Sequence, residues 1–420
     1  MEAAFWQRLD EIITKTVRPM AARCDEESLF CGESVQALAD AGFMGLPYPP
    51  ELGGRGSSYE SYVRCVERLS KACPSVGVTY ATHVGLACHP LHAFGSPMQK
   101  ESFLRPMLRG DKLGAFALTE PEAGSDVGGI ATTAELDGGF YIINGHKIFI
   151  TNAGRADIYI LFARTGGQGT EGLSAFAVCS NDAGLLISAP QRKMGIRGAQ
   201  TCELFFRNLC IPADRLIGRP GDGFRIAAET LDGGRLGIAA QAVGIADAAF
   251  DEVCARLKER RQFGRTLEHF QGLRWKAADM WAKVEAARQL TLYAARLCDG
   301  GKMFRAEASA AKLVASEAAV WCASEAVQIC GGSGYLGAGK QEDAMIRNKS
   351  GHKIKYEINR RPSQVKKLSK SGQYAAKKVE HAKSSVRAKA EHVFDVVKKQ
   401  LHFQKTRYHS LEKQQAKFNI

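Results

Sequence analysis

The 420-residue chain contains no run of about 18 apolar residues, the length an α-helix needs to cross a bilayer. Its first residues, Met1-Glu2-Ala3-Ala4-Phe5-Trp6, hold neither the basic stretch nor the apolar stretch of a secretory signal. These absences predict a cytoplasmic protein without membrane insertion. Twelve cysteines occur, none in a Cys-x-x-Cys pair, so their spacing offers no zinc site or disulfide framework. Reduced thiols used as small core residues are expected instead. Residues 341–420 lack cysteine and tryptophan, hold two of the 43 glycines, and are short of acid, with 20 Lys and Arg against 7 Asp and Glu. That difference is the chain's entire net charge of +13, because residues 1–340 carry 37 charges of each sign. Two compositions are joined, and the basic excess that would suggest nucleic-acid binding belongs to the second alone.

What is present falls into three blocks before that tail. Residues 1 to about 112 show apolar residues at helical spacing, as in Phe5, Leu9, Ile12 and Ile13, then Val35, Leu38, Ala39 and Phe43. From about 115 to 222 the pattern changes to short runs rich in β-branched and aromatic residues. Strands are expected at 140–143, 147–151, 158–162 and 173–178, with Gly, Asn and Asp as turn formers between them. A small barrel or sandwich follows. Helical periodicity returns over 224–259, 267–298 and 304–330, long segments that pack as a bundle. Helices, then strands, then helices describe an α+β chain of successive domains rather than an alternating α/β sheet. A Gly-x-Gly-x-x-Gly match at Gly332–Gly337 follows a helix instead of a strand, so a nicotinamide-binding unit is not indicated.

Two windows carry candidate chemistry. Phe116-Ala117-Leu118-Thr119-Glu120-Pro121-Glu122-Ala123-Gly124-Ser125-Asp126 joins a strand end to a loop whose hydroxyls and backbone N–H groups could hold a polar heterocycle or phosphate. A plain surface turn would look the same. In the helix from Phe224, Gly233, Gly234, Gly237 and Gly244 each cost roughly 1 kcal/mol against alanine. Something must therefore approach that backbone closely: a ligand, or another helix. Asp232 and Arg235, three apart, are neighbours on this face, as ligand groups or as a simple ion pair.

Together these windows resemble the acyl-CoA dehydrogenase family over residues 5–335. Phe116–Asp126 is similar to its flavin-loop signature, and Asn144-Gly145-His146-Lys147-Ile148-Phe149-Ile150-Thr151-Asn152-Ala153 to the strand against the flavin ring. Arg260-Arg261-Gln262-Phe263-Gly264 with Gln271, and Gln328-Ile329-Cys330-Gly331-Gly332-Ser333-Gly334-Tyr335, resemble the elements that hold the ADP half of FAD across a subunit interface. The resemblance implies an N-terminal helical domain (1–113), a middle β-barrel (114–223) and a C-terminal helical bundle (224–335). It also implies a homo-oligomer, a dimer or a tetramer, with electron-transfer flavoprotein as partner. Phe116, Leu118, Thr119, Ser125, Phe149 and Thr151 would bind the flavin, Phe149 standing where many members have Trp. Arg260, Gln271, Gln328, Gly331 and Gly332 would hold the adenine and pyrophosphate of a neighbour's FAD. Ser125, Asp232 and Arg235 would face the acyl-CoA.

The family's reaction removes an α-proton with a carboxylate while a hydride leaves the β-carbon, so the thioester carbonyl must be polarised and the base desolvated. Members keep that glutamate in one of two places. One is the position before the arginine of the glycine-bearing helix, here Gly234. The other is a Tyr-Glu-Gly-Thr segment after the Gly-Tyr turn, which this sequence lacks. No catalytic residue is thus assigned, and little or no turnover is expected.

The tail (336–420) has one strongly periodic stretch, 384–402, with Val386, Ala390, Val393, Phe394, Val397 and Leu401 at helical spacing. Arg387, Glu391 and Lys398 flank it; a solvated face with an i, i+4 pair is the plain reading. Their spacing also resembles the C-terminal end of DDE-type insertion-sequence transposases, over 333–420. Such enzymes need two aspartates beside the glutamate to hold metal ions. Here the aspartate position reads glycine, so Glu391 is an orphan and no metal is expected. The expectation is an FAD-dependent acyl-CoA dehydrogenase impaired by a gene fusion. The alternatives are an inactive, misfolding product and a transposase remnant whose basic tail binds nucleic acid non-specifically.

Overall fold

The computed structural model describes residues Glu2–Leu336. The chain divides into two units, Met1–Leu336 and Gly337–Ile420; the expectations for the tail, Glu391 and the 384–402 helix among them, lie outside the described residues. The first block is helical throughout. Glu2–Ile12 and Arg18–Glu26 run on through a π-helical turn at Ile13–Val17, followed by Gly32–Asp40, Tyr59–Ala72, Pro74–Ala81 and Cys88–Phe94. Tyr59–Ala72 is fixed at its start by two carboxyl-bearing or hydroxyl groups. Ser58 Oγ accepts the Ser61 N–H at 3.1 Å, and Asp299, from a distant helix, accepts the Tyr59 and Glu60 N–H groups at 2.6 and 3.0 Å. A carboxylate there also meets the positive end of the helix dipole.

The middle block is an eight-stranded mixed sheet. Its strands are β1 (Gly114–Ala117), β2 (Thr133–Asp137), β3 (Phe140–Thr151), β4 (Ile158–Arg164), β5 (Leu173–Cys179), β6 (Leu185–Ile187), β7 (Thr201–Pro212) and β8 (Leu216–Ile217). The order is β6-β7-β3-β2-β4-β5-β8, with β1 parallel to β4. The expected strands at 140–143 and 147–151 are one strand. Asn144-Gly145, which reads as a turn, is instead the site of a register shift against β7, where a side chain on Gly145 would meet Thr132 Oγ1 at 2.3 Å. One face of the sheet encloses a core of its own, including Tyr141, Ile143, Tyr159, Leu161, Phe176, Leu204 and Ile211. The other face of β4 and β5, through Ile158, Ile160, Phe162, Leu173 and Ala175, joins the helical core. Burial on both sides explains why these two strands are apolar at nearly every position, Arg164 and Ser174 excepted, rather than alternating.

Three long helices, Gly223–Glu259, Gln271–Asp299 and Arg305–Cys330, follow the sheet, and a short one, Gly332–Leu336, ends the described chain. Gly223–Glu259 packs against Tyr59–Ala72 and against both other long helices. Arg288 from the second ties the three partners with Glu67 at 2.7 Å and Asp247 at 3.0 Å, and Lys71 reaches Asp247 at 2.9 Å. Arg305–Cys330 is long and apolar enough to cross a bilayer by composition. Glu307, Lys312, Glu317 and Glu325 interrupt it, and its buried alanines, Ala308, Ala311, Ala315 and Ala318, pack in the bundle.

Candidate functional site

The loop after β1 is locked by an ion pair that sequence reading did not single out. Lys147, on β3 and fully buried, donates to Glu120 Oε1 at 2.7 Å and to the Leu118 carbonyl at 2.9 Å. Glu120 also accepts the Ala131 and Thr132 N–H groups at 2.7 and 3.0 Å. Burial alone would raise the Glu120 carboxyl, but the Lys147 ammonium and these donors outweigh it and hold it below its ordinary value. Burial pulls Lys147 down to about 8, opposed by Glu120. The only sequence signals were a lysine inside an apolar strand and a glutamate in a loop, 27 residues apart.

This lock sets Thr119 beside β3, where the Ile148 N–H donates to the Thr119 carbonyl at 2.9 Å. The next residue, Phe149, sits at a second register shift with φ +59° and its ring 63% exposed. A bulky residue in left-handed conformation is an outlier, and one facing outward marks a site where an aromatic face is presented on purpose. Thr151 follows, and Asn152 anchors the strand end from φ +68°, donating to the carbonyls of Thr79 at 3.1 Å and Gly114 at 3.0 Å. Among the described residues the hydroxyls of Thr119, Ser125 and Thr151 have no protein partner. Ser125 lies exposed on the same loop. Phe116 and Leu118 differ: their side chains are buried, Phe116 against Phe162 at 4.9 Å between centroids, so neither offers its side chain at the surface. An exposed ring flanked by free hydroxyls suits a flat, polar-edged heterocycle, and the residues present fit a flavin.

The glycines of Gly223–Glu259 have a different explanation from a bound ligand. A side chain on Gly233 would meet the Tyr59 hydroxyl at 2.7 Å, on Gly237 the Tyr62 hydroxyl at 2.9 Å, and on Gly244 the Glu67 carbonyl at 2.4 Å. What approaches the backbone is the helix Tyr59–Ala72. At Gly234 the neighbour is Leu86, whose methyl lies 2.5 Å from where a Cβ would stand. Asp232 is buried and held by two arginines, Arg235 and Arg305, the latter at 2.7 Å. It lines a cavity of about 340 Å³ with Pro47, Tyr48, Tyr59, Gly85, His89, His92, Glu229, Gly233, Cys298 and Phe304. Burial lowers both imidazoles, His89 to about 4, so they are neutral at pH 7. The walls therefore combine aromatic and neutral imidazole faces with two carboxylates, the arginine-paired Asp232 and Glu229, which lies 3.6 Å from Arg225. Arg305, His89 and His92 were not anticipated, having no motif of their own.

The remaining candidates gather at the other end of the long helix. Arg260 closes Gly223–Glu259, Gln271 opens Gln271–Asp299, and Gln328, Gly331 and Gly332 stand at the end of Arg305–Cys330, all exposed. Arg256 reaches Ser333 Oγ at 3.1 Å and ties these ends together. Between them a two-residue hairpin turn holds Phe263 at φ +51° and Gly264 at φ +79°, with the Phe263 side chain 92% exposed. Thr79, which Asn152 binds, lies two residues before Ala81, which packs on Gly237. The end of β3 therefore stands near Gly237, and Arg260 is roughly 35 Å farther along the helix at 1.5 Å per residue. One chain does not bring the two groups together.

A chain of helical domain, β domain and helical bundle, with an exposed aromatic bulge over an ion-pair-locked loop, has the architecture of a flavoenzyme. Comparison with known proteins narrows this. The family models for the N-terminal, middle and C-terminal domains of acyl-CoA dehydrogenase match residues 2–111, 115–209 and 221–353. The chain is 45% identical over 330 residues to a short-chain specific acyl-CoA dehydrogenase of Clostridium acetobutylicum, covering 78% of this chain and 87% of that one. It superposes on butyryl-CoA dehydrogenase of Megasphaera elsdenii with TM-score 0.78 and 41% identity, covering 79% and 88%. A structure described as electron transferring flavoprotein of Acidaminococcus fermentans matches with TM-score 0.78 and 42% identity over the same shares. The chain belongs to the acyl-CoA dehydrogenase family. The C-terminal family match runs past the expected boundary at 335, and no comparison shows a transposase fragment.

Proposed function

We propose that this protein binds FAD and a short acyl-CoA thioester and is built for α,β-dehydrogenation, with turnover impaired by the missing base. FAD is the cofactor, and when bound it supplies the hydride acceptor. The observation that carries the reading is Phe149, presented at φ +59° between the unpartnered hydroxyls of Thr119 and Thr151. In this reading Phe149 stacks on the ring system, Thr119 and Thr151 hydrogen-bond its polar edge, and the Glu120–Lys147 pair keeps the loop from relaxing. The cavity at Tyr59, His89 and Gly233, with Glu229 and the arginine-paired Asp232 on its wall, takes the acyl chain. Asp232, neutralised by Arg235 and Arg305, orients the arginines toward the thioester's polar groups.

The distance between the flavin strand and Arg260, Phe263, Gln271 and Gln328 supports assembly from at least two copies, the second holding the adenine and pyrophosphate end. Relatives described as short-chain specific and butyryl-CoA dehydrogenases support a short acyl group. The electron transferring flavoprotein match supports that class of partner. Impairment is supported by the two base positions together: Gly234 stands at one, and the sequence lacks the Tyr-Glu-Gly-Thr segment that carries the other. Purified full-length chain should retain stoichiometric FAD through gel filtration as an oligomer and form little enoyl-CoA from butyryl-CoA. Failure to take up FAD overturns the reading.

A further inference from the structure

Two imidazoles on the wall of the cavity beside Asp232 have no part in the chemistry above and no polar partner. His89 and His92 stand three apart on the helix Cys88–Phe94, so they share one side of it with about 5–6 Å between their Cβ atoms. Both are partly buried. They pack against rings, His92 edge-on to Tyr48 at 5.1 Å and His89 edge-on to Phe94 at 6.5 Å between centroids. Among the described residues His83, His146 and His269 each have a hydrogen-bond partner, whereas neither His89 nor His92 has one. The tyrosines of the same wall cannot donate to them. Tyr48 gives its hydroxyl proton to the Val84 carbonyl at 2.6 Å, and Tyr59 gives its own to the Gly233 carbonyl at 3.1 Å.

A neutral imidazole carries one N–H donor and one bare nitrogen acceptor. Two such rings side by side in a cavity call for a ligand group that both donates and accepts, since a buried polar atom left unpaired is costly. Charge narrows the choice. Of the two carboxylates on the wall, Asp232 is held by Arg235 and Arg305, and Glu229 lies 3.6 Å from Arg225. The arginines spend their charge on these carboxylates, so an ionic ligand group of either sign finds no unpaired opposite charge. A hydroxyl meets the requirement without charge: it accepts from the N–H of one ring and donates to the bare nitrogen of the other. The cavity also adjoins the family's base position. Gly85 and Gly233, on its wall, are the chain neighbours of Leu86 and Gly234, which lie against each other.

We propose that His89 and His92 select an acyl chain bearing a hydroxyl group beyond its β-carbon. The inference rests on the reading that this cavity takes the acyl chain. The hydroxyl does not react; it lies past the two carbons that dehydrogenation changes, and the imidazoles act on specificity by binding it. A purely hydrocarbon chain of the same length fills the same space but leaves both rings unpaired.

The test measures binding to the FAD-loaded full chain by calorimetry, comparing 4-hydroxybutyryl-CoA with pentanoyl-CoA, in which a methyl replaces the hydroxyl. The hydroxylated thioester should bind about tenfold more tightly, a ratio within what two ordinary neutral hydrogen bonds supply. His89→Phe and His92→Phe keep an aromatic ring and remove the nitrogens. Each should erase the preference by weakening 4-hydroxybutyryl-CoA while pentanoyl-CoA holds or gains, and retained FAD shows that the variant is folded. Glutaryl-CoA and 4-aminobutyryl-CoA, with charged ends, should bind less tightly than 4-hydroxybutyryl-CoA. Equal binding of the hydroxylated and methyl thioesters, a preference that survives both substitutions, or tighter binding of a charged end overturns the proposal. If the hydroxyl preference is absent but the substitutions still shift pentanoyl-CoA affinity, the cavity remains the acyl site and only the hydroxyl selection falls. If they change neither thioester, the assignment of the cavity falls with it.

Discussion

Replacing Glu120 by Gln removes one charge and almost no volume, which makes it a sharp probe of the loop. In the native chain the carboxylate satisfies three donors, Lys147 Nζ and the N–H groups of Ala131 and Thr132, with both partners buried. Glutamine can keep its carbonyl oxygen on some of them, but its NH2 must then face another donor. The Lys147 ammonium is left with the Leu118 carbonyl alone. Removing one partner of a buried pair costs about 3–5 kcal/mol, a large part of a typical total of about 5–15 kcal/mol. The urea midpoint should fall accordingly, and FAD affinity with it, because Thr119 loses its position. Lys147→Met added to Glu120→Gln removes the stranded charge and should recover most of the loss. An unchanged midpoint in E120Q, or a double variant worse than the sum of the two single ones, would refute the reasoning.

Three further outcomes follow from the same structure. His83 accepts the Gly114 N–H at Nδ1 (3.0 Å) and donates from Nε2 to the Met107 carbonyl (3.1 Å); burial lowers it from 6.5 to about 4. The folded state thus binds fewer protons than the unfolded state between these values. Its stability is full above pH 6.5 and falls by about 3 kcal/mol as pH drops toward 4, a slope that urea titrations should find reduced in His83→Gln. Gly244→Ala should destabilise despite the roughly 1 kcal/mol gain in helix propensity, because the methyl would meet the Glu67 carbonyl; overpacking of this kind costs about 1–3 kcal/mol, and thermal unfolding measures it. Gly234→Glu combined with Leu86→Ala, which clears the methyl 2.5 Å away, should raise butyryl-CoA turnover, whereas Gly234→Glu alone should not.

How much of this was legible in the sequence depended on whether the interactions were local. The helices at 224–259 and 304–330 were placed within a residue of Gly223–Glu259 and Arg305–Cys330, since 3.6-residue periodicity and flanking glycines are local signals. β7 was missed because Glu203, Arg207 and Asn208 break its apolar alternation, and β3 was divided because Asn144-Gly145 reads as a turn. The glycines of the long helix announced a close approach, but not that Tyr59, Tyr62 and Glu67 make it. Glu120–Lys147 and Asp232–Arg305 arise only when distant segments pack.

The most direct test mixes FAD-loaded full-length protein with butyryl-CoA in the absence of oxygen and follows the flavin's visible absorption. The account predicts a shift of the band as the thioester binds, with the flavin remaining oxidised, because neither Gly234 nor a Tyr-Glu-Gly-Thr segment, which the sequence lacks, supplies the family's carboxylate. Bleaching at the rate of an intact family member would contradict it.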